Sequence, residues 1–183
     1  LIGRPYWYGA YMPIYLILSS VVSGTAFLIS FTVIPYQVKR EELPPSLSEL
    51  LMELGRILAL FLGITIIFIS WKIILSLYGH PLQKYQAVMA LIKGPLRVNF
   101  WFFEILIGTL LPFVILIFPP TRTLKGILVA SICVILGMFA IRYDVVIAGE
   151  IYPVWGGAYA FYSPNYLEWF IVIACIGACL LFY

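Results

Sequence analysis

The residues from Ile127 to Ile141 form an apolar run that carries straight into Arg142-Tyr143-Asp144 and turns apolar again through Ala148. In lipid every backbone N–H and C=O has to be satisfied internally. Such a run therefore spans as a helix, of about 20 residues for a hydrocarbon core about 30 Å thick. A charge inside it costs on the order of 2.5 to 3.5 kcal/mol at mid-bilayer. Arg142 and Asp144 are thus expected to face other helices, water or a ligand, and they mark a functional site.

The rest of the chain agrees with a membrane setting. Hydrophobic residues make up 63% of the 183 and charged residues 10%, with a mean hydropathy of +1.06. Soluble domains have roughly 45 to 50% apolar and about 25% charged residues. A net charge of +3, scattered among loops, excludes a nucleic-acid surface, which needs a basic patch or stripe. Cys133, Cys175 and Cys179 lie in apolar runs and read as small packing residues, too few and too apart for an iron–sulfur or zinc site. The single histidine, His80, follows Gly79 in a loop, so no pair of membrane histidines is available to a b-type haem. The chain begins at Leu1 and stops at Tyr183 inside an apolar run, and is expected to be part of a longer one.

Five segments are apolar enough to span, at about 12–34, 48–78, 99–118, 125–149 and 164–183. The expected fold is an all-α, polytopic transmembrane helix bundle forming a single membrane domain. Arg4-Pro5-Tyr6-Trp7-Tyr8 leads into the first helix with interface aromatics. That helix holds a row of small residues, Ser19-Ser20 and Ser23-Gly24, and is predicted to end at Pro35. Ser46 to Glu49 reads as a capping box opening the second. Glu53 and Arg56 lie three apart near its start and pair on its surface. Leu82, Tyr85, Val88, Met89 and Ile92 recur at helical spacing, which suits a short helix lying in the interface or covered by a partner. Pro112 falls inside the third spanning helix, and Ser163-Pro164 starts the fifth.

Alternating these helices across the membrane puts Lys72, Glu104, Arg142 and Asp144 at about the same depth, roughly 8 to 10 Å inside the face where the chain starts. Arg142 and Asp144, two apart, point to different sides of their own helix and need partners elsewhere; Glu104 with Arg142 is the preferred pair. Paired buried acids and bases lock helices together or relay protons, and can accept protons from a bound hydroquinone. Trp71, Trp101, Tyr143 and Tyr152 are at hand to wall a flat ring.

Asn99-Phe-Trp-Phe-Phe-Glu104 with Gly108 and Pro112, Arg142-Tyr-Asp-Val-Val-Ile-Ala-Gly149-Glu150, and Pro13 with Ser19-Ser20 and Ser23-Gly24 resemble the C-terminal half of the polysulfide reductase membrane-subunit family, NrfD/PsrC-like, in its long form. Asp144 and Glu150 stand where many relatives carry amides, and added acids alter the protonation chemistry. The resemblance implies a haem-free, quinone-interacting subunit in the cell (cytoplasmic) membrane. It implies electron exchange between menaquinol or quinone and an iron–sulfur, ferredoxin-like partner subunit, in sulfur or hydrogen metabolism. His80, Trp71, Trp101, Tyr143, Glu150 and Tyr152 are the candidate quinone contacts, and Lys72, Glu104, Arg142 and Asp144 the candidate proton-handling residues. In polysulfide reductase the quinone site belongs to the other helix bundle, which leaves Glu104 and Arg142 a role in proton transfer or bundle integrity.

Basic residues tie between the two faces, with Arg4, Lys84, Lys93 and Arg97 against Lys39, Arg40, Arg122 and Lys125, so charge does not orient the chain. The resemblance puts the starting face outside and the loop Glu150 to Tyr162, rich in Tyr, Trp and Gly, against the iron–sulfur partner. A proton channel or transporter subunit, or a purely structural membrane anchor, is the competing reading.

Overall fold

A computed structural model describes residues 7, 11–78, 82–150 and 165–181. Its elements are α1 (Tyr11–Lys39), α2 (Pro45–Tyr78), α3 (Leu82–Ile92), a π-helical segment (Asn99–Leu110) continuing into α4 (Leu111–Ile117), α5 (Leu124–Glu150) and α6 (Tyr166–Leu181). The described residues contain no strand. Four helices are long and apolar enough to cross a membrane, namely α1, α2, the joined π segment and α4, and α5. The fifth apolar run appears as α6, whose 16 described residues are fewer than the about 20 a straight crossing takes.

The expected stop at Pro35 is not taken. The helix runs on to Lys39 with Pro35 inside it, because neighbouring groups in a membrane protein can re-satisfy the carbonyl that proline leaves free. It ends instead at Arg40, which takes a left-handed φ of 56°. The Glu41 N–H then bonds the Tyr36 carbonyl at 3.0 Å and the Arg40 N–H the Gln37 carbonyl at 3.3 Å, the two reversed bonds of a Schellman cap. On the far side of that turn α2 starts at Pro45, a residue with no N–H to lose in a first turn, and so takes in the predicted capping box.

α5 is the centre of the bundle, in contact with α1, α2, α3, the π segment and α4. Its buried residues, among them Leu128, Val134, Ala140 and Asp144, fall on several sides of the helix, as a surrounded helix requires. Its tightest neighbour is the π segment. A Cβ added to Gly108 would stand 2.5 Å from the Gly137 Cα, so the two backbones touch and only glycine fits at either place.

The third spanning helix is the largest departure from the expected plain α-helix. Over Asn99–Leu110 the chain is wound as a π-helix, and the Leu111 N–H reaches back to the Leu106 carbonyl, five residues away. Pro112 has no N–H to offer this ladder, and α pitch resumes with the proline in the first turn of α4. The short α3 is covered by its own bundle. It buries Ala87, Val88 and Leu91 and packs on α2, α5 and the π segment. By contrast α6 packs against none of the other described helices.

Candidate functional site

Four helices deliver polar groups to one end of the bundle. Tyr15 lies four residues into α1, Glu104 five into the π segment, and Lys72 and Asp144 each six before the ends of α2 and α5. At 1.5 Å per residue these positions lie about 6 to 9 Å inside the helix ends. All are withdrawn from the surface, Tyr15 and Glu104 at 0%, Asp144 at 1% and Lys72 at 5% exposure.

Glu104 is the hub. Its Oε1 accepts from the Lys72 ammonium at 3.3 Å and from the Tyr15 hydroxyl at 3.5 Å. The ammonium also stands 5.4 Å from the centre of the Tyr15 ring and 5.6 Å from that of Phe100, so two aromatic faces share its charge. Thr109, one π turn further on, donates its hydroxyl to the Glu104 carbonyl at 2.7 Å and ties down the hub residue's backbone. Asp144 is held from the π segment too, its Oδ1 accepting from the Asn99 amide at 2.7 Å. Glu104 Oε2 and Asp144 Oδ2 are buried with no donor on them.

The preferred pair of Glu104 with Arg142 does not form. Arg142 sits on the exposed side of α5 and donates to the hydroxyls of Ser20 at 3.5 Å and Ser23 at 3.4 Å on α1. The two-residue offset that separates it from Asp144 sends the cation to the α1 groove and the carboxylate to the interior. Lys72 takes the place expected of Arg142.

Trp71 and Trp101 are turned outward, 55% and 51% exposed. Trp101 packs edge-on against Phe100 and donates to the Ile92 carbonyl at 3.3 Å. Tyr143 is half-buried against the core, and Glu150 is half-buried as the last residue of α5. His80, Tyr152 and the loop from 151 to 162 lie outside the described residues, as does the Cys179 side chain.

Sequence reasoning missed Tyr15, Phe100 and Asn99 as members of the cluster. Tyr15 starts the row that continues through Ser19 and Ser23 at four-residue spacing, and this row is the buried face of α1. Further out, Tyr11 stacks on Tyr15 with ring centres 5.4 Å apart and donates to the Phe68 carbonyl at 3.0 Å. Trp7 lays its indole against Gly149 and donates to the Val145 carbonyl at 2.9 Å. A ladder of aromatic rings thus leads from the starting face toward the hub. Among the described residues no group of three or more His, Cys, Asp or Glu could hold a metal ion.

Apolar helices of spanning length closed around a buried acid–base cluster define a multi-pass membrane protein. Residues 1–154 match the family described as polysulphide reductase, NrfD, and the chain belongs to that family. It is similar to a selenate reductase subunit of Mesobacillus selenatarsenatis, 28% identical over 193 residues that cover 100% of this chain and 44% of that protein. The chain therefore spans less than half the length of this relative.

Proposed function

We propose that the chain is part of the membrane subunit of a respiratory redox complex in the cytoplasmic membrane. In this reading the subunit exchanges electrons between a quinone, menaquinol in the first instance, and an iron–sulfur partner subunit. Family membership supports the membrane redox role, and the relative's name, a reductase subunit, supports a partner that reduces an acceptor. Sulfur and hydrogen metabolism remain the proposed setting.

The single observation that carries a proton role for this half is the buried set Lys72, Glu104, Tyr15 and Asp144. Hydroquinone oxidation releases protons together with electrons, and protons leaving a low-dielectric interior need acid and base groups along the way. The donor set has the right chemistry, but its packing does not admit a ring. Tyr15, Phe100 and Glu104 are each at 0% exposure and present no open face to a quinone. These residues are assigned to proton handling, and no quinone contact is assigned to Glu104. Within the chain the Lys72 ammonium balances the Glu104 carboxylate, Tyr15 connects that carboxylate to the aromatic ladder, and Asn99 fixes the Asp144 carboxyl against the π segment.

The test uses the whole complex in lipid vesicles, with menaquinol as donor and the iron–sulfur centres of the partner as readout. Menaquinol-dependent reduction of those centres, slowed at least about tenfold by Glu104→Gln, is the expected result. Proton flux across the vesicle membrane without any electron transfer from menaquinol would instead establish the channel reading.

A further inference from the structure

The cluster's charges do not balance as drawn. Two carboxylates, Glu104 and Asp144, face one ammonium, Lys72, in a region where none of the three is more than 5% exposed. Arg142 supplies no compensation, being engaged with Ser20 and Ser23 on the outer side of α5. Among the described residues no further cation is bonded to Glu104 or Asp144. α1 contributes Tyr15, α4 has no titratable residue, and α3 buries Ala87, Val88 and Leu91 toward the bundle. Tyr143, next in the chain to Asp144, is half-buried and neutral as a phenol.

The geometry identifies where the missing positive charge goes. Asp144 bonds Asn99 on the π segment, the element that also carries Glu104, so the two carboxyls stand across the tightest helix contact of the bundle. As two carboxylates they have no donor between them, which is why Glu104 Oε2 and Asp144 Oδ2 are both orphaned in the interior. One proton removes both faults, since it supplies the donor for a short O–H···O bond and brings the three charges to neutrality.

We propose that Glu104 and Asp144 form a carboxyl–carboxylate pair that holds a single proton between the π segment and α5. The proton sits on one carboxyl and bonds to the other. Its transfer breaks an O–H bond at one residue and forms one at its partner, with no electron moved and no other reactant. The remaining oxygens are already assigned, Glu104 Oε1 to Lys72 and Tyr15 and Asp144 Oδ1 to Asn99. The pair is therefore held from both sides while the proton moves. Tyr15 lies on the aromatic side and Asp144 on the α5 side, so the pair is a proton-binding step between two regions of the bundle. This deepens the proton role proposed above, but its test needs neither quinone nor partner centres.

Infrared spectroscopy of the full complex in vesicles reads the pair directly, through the C=O stretch of a protonated carboxylic acid that shifts on exchange into heavy water. The wild-type complex at neutral pH should have one such band assignable by variants. Asp144→Asn and Glu104→Gln should each abolish it, because either leaves one carboxylate balanced by Lys72. Lys72→Met should add a second band, since without the ammonium neutrality takes two protons. Absence of a variant-sensitive band in the wild type overturns the proposal. So does a band that survives Glu104→Gln but not Asp144→Asn, which would give the proton to Asp144 alone. Loss of menaquinol oxidation with the band intact, or the reverse, separates a failure of the redox reading from a failure of the pair.

Discussion

Along the contact between the π segment and α5, Gly108 and Gly137 meet backbone to backbone, while nearer the starting face Glu104 and Asp144 bury their carboxyl groups in one polar cluster. One region is held by the absence of side chains and the other by the most polar side chains in the bundle. The first makes the second possible. Glu104 is four residues, about one turn, from Gly108, and Asp144 seven residues, about two turns, from Gly137. Larger residues at the glycines would push the helices apart and strand two charges in a low-dielectric interior.

The sharpest way to break this relation is at the glycines. Gly137→Leu has no flexible neighbour to displace, only the Gly108 backbone, and should destabilise the folded subunit by about 3 kcal/mol or more, read from denaturant unfolding in mixed micelles by circular dichroism. The same variant should also remove the protonated-carboxyl band, because the carboxyls separate.

At the polar end, Lys72→Met leaves Glu104 without its cation and should cost about 3 to 5 kcal/mol in the same assay. Adding Glu104→Gln to it should recover much of the loss. A double variant no better than the single one would mean that Lys72 matters for its packing on Tyr15 and Phe100 rather than for its charge.

Arg142 is the outward counterpart of Asp144, and Arg142→Ala should cost only about 1 kcal/mol, because it removes long bonds to two serine hydroxyls on a face open to the surroundings. A loss as large as that of Lys72→Met would place Arg142 in the buried network and reopen its pairing with Glu104. The smallest effect is expected where an ion pair is farthest from the interior. Glu53 and Arg56 pair on α2 with side chains 59% and 54% exposed, and Glu53→Gln should change stability by no more than about 0.5 kcal/mol.

Much of this was open to reading in the chain. Apolar runs of spanning length leave helices as the backbone's way to satisfy itself in lipid, and the charges inside those runs, Lys72, Glu104 and Asp144, announced a polar interior because lipid does not solvate them. Their common depth also followed from counting residues to the helix ends. Pro35 misled because its cost depends on what neighbours can do for a freed carbonyl, which no local pattern records.

What only tertiary structure decided was who faces whom. Arg142 and Lys72 are both cations at a suitable depth, and their sequence surroundings do not rank them as partners for Glu104. The rotation of α5 does, sending Asp144 inward and Arg142 to the serines of α1. The π winding of Asn99–Leu110 belongs to the same class, for no local pattern announces it and it runs beside a backbone contact between Gly108 and Gly137, 29 residues apart in the chain. Periodicity and composition act along the chain and determine that helices form and how deep each charge lies. The pairing of charges depends on azimuth and on the approach of one helix to another, and those are set by packing among residues distant in sequence.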